Sequence, residues 1–596
     1  MAVPRDDLRV TIGTKKYVID IAKFARRPVP ALREQVDQGT EPSERSLSNI
    51  GIWKRSAENF MLGAGQEFFD DDEESSRLRF FTSKGIDPWD RRTLTLLNLT
   101  EAKVPTLEAT QSVHAVSNRL FHRYGSTLRV TADPTVPSPT FTDITGLTGT
   151  INSITTDGYR VFVATTTGIF LLATPDTTGA TAFAGAAGTY AASIIGYANG
   201  RLLVGAANVL SEVSAAGAVT AQYTHPNPGF LWRVIASAPN AIYVSGDTGV
   251  DSEMYQIVVT DTSGALAVPV FATALPDGET VRAIEFYAGT AIIATSRGVR
   301  LALSATTGYL TYGPVIEISG GVSAVESQGE FVWFGWSNYD GTSTGLGRLS
   351  LARFASDLVP AYASDLMGTT QGTVASVATF GGRRYFTVNG AGLYGEAATK
   401  VASGTYDSGF ITYGVAERKA VVGVEVQTNA LAAGQTVVGT VEVESGISTA
   451  AFTHSTLAAT EKAGEITDVE SDRVKVKLTL TRGTDTSLAP TVRRWTLRAV
   501  PLPFRSEEIY VFVLMSDTVA NEDNRIDIAF DTYVEWAYLK GLEQSRARVP
   551  FVMGADSQTV FVDSVGIDQE EATEWNDKRD WVEGSVSVKF ITTAVS

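Results

Sequence analysis

A short apolar run, entered through a turn and left through Gly or small polar residues, recurs along the middle of this chain. It is clearest as Asp157-Gly158-Tyr-Arg-Val-Phe-Val-Ala, Asn199-Gly200-Arg-Leu-Leu-Val-Gly and Gln328-Gly329-Glu-Phe-Val-Trp-Phe-Gly. Further copies follow Pro239-Asn240, Ala288-Gly289 and Gly381-Gly382, and a worn one, Ser117-Asn118-Arg-Leu-Phe-His-Arg-Tyr, precedes them all. The anchors Asn118, Gly158, Gly200, Asn240, Gly289, Gly329 and Gly382 stand 40 to 53 residues apart. A four-stranded propeller blade repeats at roughly 40–50 residues, and seven blades make an ordinary closed ring. The spacing therefore predicts a mainly β chain whose residues 106–400 form a seven-bladed β-propeller. Such a disc hosts binding, catalysis and scaffolding alike, so the fold alone names no function.

The flanking regions read differently. Residues 1–105 carry dense charge, with Arg5, Arg9, Lys15, Lys16, Lys23, Arg26, Arg27 and Arg33 first and the run Asp70-Asp71-Asp72-Glu73-Glu74 later. Their apolar residues show no sustained period, and Pro28, Pro30 and Pro42 interrupt any helix. They read as an extended N-terminal arm ordered along a partner or along its own propeller, or else as a small irregular domain packed on the first blade. Residues 401–504 alternate as Val421-Val-Gly-Val-Glu-Val and Val474-Lys-Val-Lys-Leu-Thr-Leu, which predicts an antiparallel β-sandwich. Residues 505–596 read as a small C-terminal α+β domain that docks the chain. In it Val534, Ala537, Tyr538 and Leu542 fall at helical spacing.

Composition narrows the function classes. The 596 residues carry a net charge of −17, which opposes a protein built to grip nucleic acid. There is no cysteine, so thiol catalysis and Cys-ligated zinc are excluded. The opening Met-Ala-Val-Pro-Arg-Asp-Asp lacks the apolar core of a signal peptide, and no run reaches the ~20 apolar residues of a membrane span. Synthesis in the cytoplasm without membrane insertion is the expectation.

No motif for chemistry emerges. The four histidines, His114, His122, His225 and His454, have no metal-site spacing. Gly341-Thr-Ser343-Thr-Gly345 matches a nucleophile elbow only formally, because it sits in a Gly/Ser/Thr loop between strands instead of a strand–turn–helix. The Ser-x-Asp-x-Gly-x-Thr-Trp box of sialidase-like propellers is absent. The acidic run lacks the alternating ligands of a calcium loop. No catalytic residue, metal or cofactor is expected. In the cluster Phe331-Val-Trp333-Phe-Gly-Trp336-Ser-Asn-Tyr339 most rings should be blade core. Trp336 and Tyr339 lead into the Gly-rich loop, where exposed flat rings would stack on sugars.

The arm carries one specific succession. It runs through Gly13-Thr-Lys-Lys-Tyr17-Val-Ile-Asp20, Trp53-Lys-Arg55-Ser56, Gly63-Ala-Gly-Gln66 and Ser83-Lys-Gly-Ile-Asp87-Pro-Trp89. Together with the later Pro490-Thr-Val-Arg-Arg-Trp495-Thr-Leu-Arg-Ala, it resembles minor tail proteins of long-tailed phages that infect actinobacteria. The resemblance implies a structural virion protein at the tail tip, present as several copies around the tail axis and touching other tail proteins. Trp53, Arg55 and Trp89 would then anchor the arm to partners, and the disc would project toward the host. The alternative is a receptor-binding protein that reads cell-envelope glycans through Trp336 and Tyr339. A glycan-degrading propeller enzyme ranks below both.

Overall fold

The computed structural model describes residues 9–28, 53–68, 78–90, 92–184, 194–260, 264–287, 289–337, 344–354, 358, 360–367, 372–413, 418–501, 507–516, 530–567, 574–575 and 582–592. It is mainly β, with many small antiparallel sheets. The chain divides into two compact units: Lys54–Gly414 with Val421–Arg498, and Met1–Trp53 with Val415–Ala420 and Ala499–Ser596.

Among the described residues the larger unit contains seven successive antiparallel sheets, in which strands pair with their chain neighbours except for the last strand of the fifth and of the seventh. The second sheet is typical: Ile151–Thr156, Val161–Thr165, Gly168–Leu172 and Thr181–Ala184. The fifth starts with Val281–Tyr287, the sixth with Val325–Gln328 and the seventh with Val374–Phe380. The anchors of the sequence repeat fall in the turn between the first and second strands. Ala198 pairs with Arg201 across Asn199 and Gly200, whose φ angles are both positive at 48° and 77°. Phe380 likewise pairs with Arg383 across Gly381 and Gly382, at 57° and 75°. Two left-handed residues match the right-handed twist of the flanking strands, which is why Asn-Gly and Gly-Gly recur there.

The second strand of a sheet is covered on both faces, so it reads as a continuous apolar run instead of an alternation. All residues of Val161–Thr165, Ala241–Asp247 and Thr290–Thr295 are buried. Consecutive sheets share hydrophobic clusters, such as Phe162 and Ala164 with Ile195 and Leu202. The last and first sheets do so as well, through Leu393, Tyr385 and Ala378 against Leu120 and Val113. The seventh sheet takes its fourth strand, Asn98–Pro105, from ahead of the first sheet, pairing Gly392 with Pro105 and Lys400 with Asn98.

The sequence boundary at 105 therefore separates a strand from the sheet it completes, and the arm is not one element. Thr82–Lys84 pairs with Ser403–Asp407 at the edge of one sandwich sheet. Trp53–Ala57 borders the strand Val492–Pro501 in the other. In the smaller unit, Arg9–Ile12 pairs with Arg548–Met553 on one side of the C-terminal sheet. Ala25–Pro28 pairs with Glu507–Met515 on the other. These strands are 3 to 5 residues long, too short to show a period. They exist because pre-existing sheet edges satisfy their backbone groups. Residues 70–74, the acidic run, lie outside the described residues.

In the same unit the helix Thr532–Ser545 is capped by Asp531, whose side chain accepts from the Tyr533 and Val534 amides. Glu535 on its first turn takes Lys15 at 2.8 Å and the Tyr17 hydroxyl at 2.8 Å. Its inward face carries Thr532 and Leu539, with Trp536 and Leu542 packed on the core. Val534, expected inside, is half exposed. The helical spacing is right and the face is rotated.

Candidate functional site

Of the arm's motifs, Lys54–Ser56, Gly63–Gln66 and Ser83–Trp89 lie in the larger unit, whereas Gly13–Asp20 belongs to the smaller one. Along Trp53–Ala57 burial alternates, so Trp53, Arg55 and Ala57 all turn inward. Ser56 Oγ lies 2.9 Å from Thr496 Oγ1 of the sandwich strand. Gly63 forms a parallel bridge with Tyr362 of the sixth sheet, and the next amide, Ala64, donates to the Tyr362 carbonyl at 2.7 Å. A Cβ on Gly63, at φ 69°, would lie 2.2 Å from that same oxygen, so only glycine fits.

Trp89 Nε1 donates to the Met61 carbonyl at 2.9 Å, and the Trp89 amide donates to Asp87 Oδ1 at 2.9 Å. Asp87 in turn accepts from Arg348 of the sixth sheet at 2.7 Å. The Arg348 guanidinium sits over three rings, 4.7 Å from the centre of Trp89, 4.5 Å from Phe331 and 5.1 Å from Trp333. One hydrophobic cluster contains Phe60 and Phe80 of the arm, Ala363 of the sixth sheet, and Tyr406 and Trp495 of the sandwich. Trp89 thus ties its segment to Met61 and to the sixth sheet, and Trp53 and Arg55 are buried. The motifs were visible in the sequence, but the direction in which the side chains point was not.

Trp336 also departs from expectation. It is 1% exposed and packs with Val332, Phe334 and Val299 between the fifth and sixth sheets, so it offers no ring face to a sugar. Tyr339 lies outside the described residues.

Two carboxylates escaped the sequence reading. Glu285 and Glu326 occupy equivalent places, each two residues before the hairpin-end pairs Tyr287↔Thr290 and Gln328↔Phe331. Glu285 accepts from the Ser327 amide at 3.1 Å and from the Ser327 hydroxyl. Glu326 accepts from the Thr379 amide at 3.3 Å. Each carboxylate therefore caps a first-strand amide of the next sheet. Burial, and then the negative charge of Glu285, push Glu326 up to about 7. A charged residue at the same point of two successive repeats was the available signal.

The pair has a pH consequence. An acid raised on folding contributes stability below its unfolded value that is lost as pH rises through the folded value. The loss should run from about pH 4.5 to pH 7. Glu326→Gln keeps an acceptor for Thr379 and removes the charge. At pH 8 it should be more stable than the parent by roughly 2–4 kcal/mol, with the difference vanishing near pH 4. Thermal melts at the two pH values measure this, and an equal effect at both would refute it.

The histidines are engaged in packing. His122 is fully buried, takes Arg129 on Nδ1 at 3.1 Å and meets Gln111 Oε1 at 3.3 Å. Burial and the Arg129 charge hold it down at about 3, so it stays neutral. His225 stacks on Phe230 with ring centres 3.9 Å apart. Its Nδ1 accepts from the Asn227 amide at 3.2 Å, which leaves Nε2–H to donate to Tyr255 Oη at 3.0 Å. Tyr255 then donates to Glu253. Among the described residues no group of three or more His, Cys, Asp or Glu is placed to hold a metal ion.

The first and second sheets together form a cleft of about 580 Å³. Its base includes Arg119, which pairs with Asp176 at 2.6 Å. One wall is the loop 132–141, which contains Pro134, Pro137 and Pro139. The other is the loop 173–180. The Lys103 ammonium, its side chain fully buried, donates to the backbone carbonyls of Thr135 at 3.3 Å and Val136 at 3.0 Å. Asp133 Oδ1 accepts from the Thr135 amide at 3.1 Å. Across the cleft, the Thr145 amide donates to the Thr178 carbonyl at 2.8 Å and Thr145 returns an acceptor to Ala180 at 2.8 Å. Both walls are therefore fixed by their own hydrogen bonds.

Comparison with known proteins adds little to this geometry. No family model matches the chain, and no curated protein matches it. Among solved structures it is similar to the computationally designed Ika8 protein, at 10% identity and a TM-score of 0.36 over 50% of this chain and 99% of that one. Virginiamycin B lyase from Staphylococcus aureus matches at 12% identity and a TM-score of 0.37, over 51% and 98%. BamB from Moraxella catarrhalis matches at 11% and 0.31, over 50% and 98%. At these scores the likenesses carry no argument about what this chain does.

Proposed function

We propose that this chain is a structural minor tail protein of a phage virion, made in the host cytoplasm and assembled at the tail tip in several copies among other tail proteins. In this reading the seven sheets form a closed seven-bladed propeller displayed toward the host, and the protein catalyses nothing. The shared core between the last and first sheets supports ring closure, as does the strand Asn98–Pro105 that completes the seventh. One observation carries the structural role. The residues on which the tail-protein resemblance rests, Gly63, Asp87 and Trp89 among them, do architectural work, binding arm, sandwich and sixth sheet into one unit. That is the conservative job of a part that must bear load, and the net charge of −17 agrees with an assembly that holds no nucleic acid.

The test uses particles produced by the genome that encodes the chain. After density-gradient purification the chain should remain at a fixed ratio to the tail-tube protein, and antibodies to it should decorate tail tips in electron micrographs. Intact, infectious particles without the chain would overturn the reading. Burial of Trp336 removes that ring from the receptor alternative, which would then rest on Tyr339 or another site.

A further inference from the structure

The cleft between the first and second sheets is a built site with a definite chemistry. Its rim presents the exposed residues Ser138, Thr140, Thr142 and Thr178, with the buried Thr131 deeper in the lining. A hydroxyl both donates and accepts, so such a lining suits partners that do the same. One small apolar side chain of the lining, Val136, is exposed. The guanidinium of Arg119 is already matched by Asp176, and Asp133 leaves the lining net negative. An anionic ligand would meet that excess and the charge of the whole chain. The volume, about 580 Å³, lies within the range of small-ligand sites. Three prolines, the buried Lys103 and the Thr145–Thr178 bond hold the walls in place before any ligand arrives, which lowers the ordering cost of binding.

We infer that this cleft binds a neutral oligosaccharide. Sugar hydroxyls exchange hydrogen bonds with the Ser and Thr rim, while a C–H face of a ring lies on Val136. The inference rests on the cleft alone and is independent of whether the chain travels in a particle.

The experiment presents the full chain to an array of neutral and acidic oligosaccharides, followed by calorimetry with whichever neutral compound binds best. Thr140→Trp, at an exposed loop position, fills the cleft without touching the core and should weaken binding at least tenfold. Leu107→Trp, at an exposed position outside the cleft lining, should leave it unchanged. Melting temperatures of both variants should equal the parent's, which separates a blocked site from a damaged fold. Binding to neutral sugars that Thr140→Trp abolishes supports the inference. Binding restricted to acidic sugars, binding indifferent to Thr140→Trp, or no retention of any neutral sugar each overturns it.

Discussion

Arg300→Ala should destabilise the larger unit by about 3–5 kcal/mol, the largest single effect expected in the molecule. Arg300 Nε donates to Glu279 Oε1 at 2.9 Å and a terminal nitrogen donates to Oε2 at 2.7 Å, a two-pronged pair that is almost wholly buried. The third arm of the guanidinium donates to the Gly313 carbonyl at 2.8 Å, and its plane lies over Tyr312. Removing it strands a carboxylate at 0% exposure and orphans a carbonyl. Burial works to raise the Glu279 carboxyl, but the Arg300 hydrogen bonds outweigh it and hold the group below its ordinary value. Its contribution is thus present above the ordinary carboxylate range and is lost as pH falls through the folded value. The double variant Glu279→Leu, Arg300→Met should recover most of the loss, because a buried pair costs nearly as much to desolvate as it returns. Urea unfolding of the three proteins at pH 7 tests this. A single variant as stable as the parent would show that the pair is dispensable.

Arg348→Ala should release the arm without unfolding the disc. The side chain neutralises Asp87 and covers Trp89, Phe331 and Trp333 together, so its loss should cost about 3 kcal/mol from one broken pair and three cation–π contacts. The effect should be local, because these contacts join the arm to the sixth sheet and not the sheets to one another. Limited proteolysis should then cut between residues 58 and 97 while the rest of the unit resists. Arg348→Lys should behave like the alanine variant, since an ammonium cannot lie flat against three rings. Resistance of the arm in both variants would mean that Gly63 and the shared core hold it alone.

How much of this could be read from the sequence depended on distance along the chain. The sheets were legible because their first hairpins are local, with an Asn or Gly in each turn, and the buried second strand leaves an apolar signature. The arm was not. Arg9–Ile12 and Thr82–Lys84 gain their order from strands hundreds of residues away, and so short a segment has no period to detect. Side-chain direction was the other blind spot. Trp336 precedes a Gly-rich loop and was expected at the surface, yet its strand is covered on both faces. Trp53 and Trp89 stand out in the sequence, but the burial of Trp53 and the contacts of Trp89 with Met61 and Arg348 appear only in the folded chain. The carboxylates Glu285 and Glu326 stood in plain view, but their meaning needs the neighbouring sheet whose amides they cap.

Asn98–Pro105 sets a timetable for the molecule. It leaves the ribosome almost three hundred residues ahead of Gly392–Lys400, its partner, and it has no other sheet to join in the meantime. Each of the six earlier sheets can fold as its own hairpins emerge, since their pairing is local. The seam cannot. Until residue 400 is made, the seventh sheet lacks its fourth strand and Asn98–Pro105 lacks its partner, the state in which a β chain is most prone to pair with a stranger. A premature stop anywhere before Gly392 would leave Asn98–Pro105 permanently without its partner.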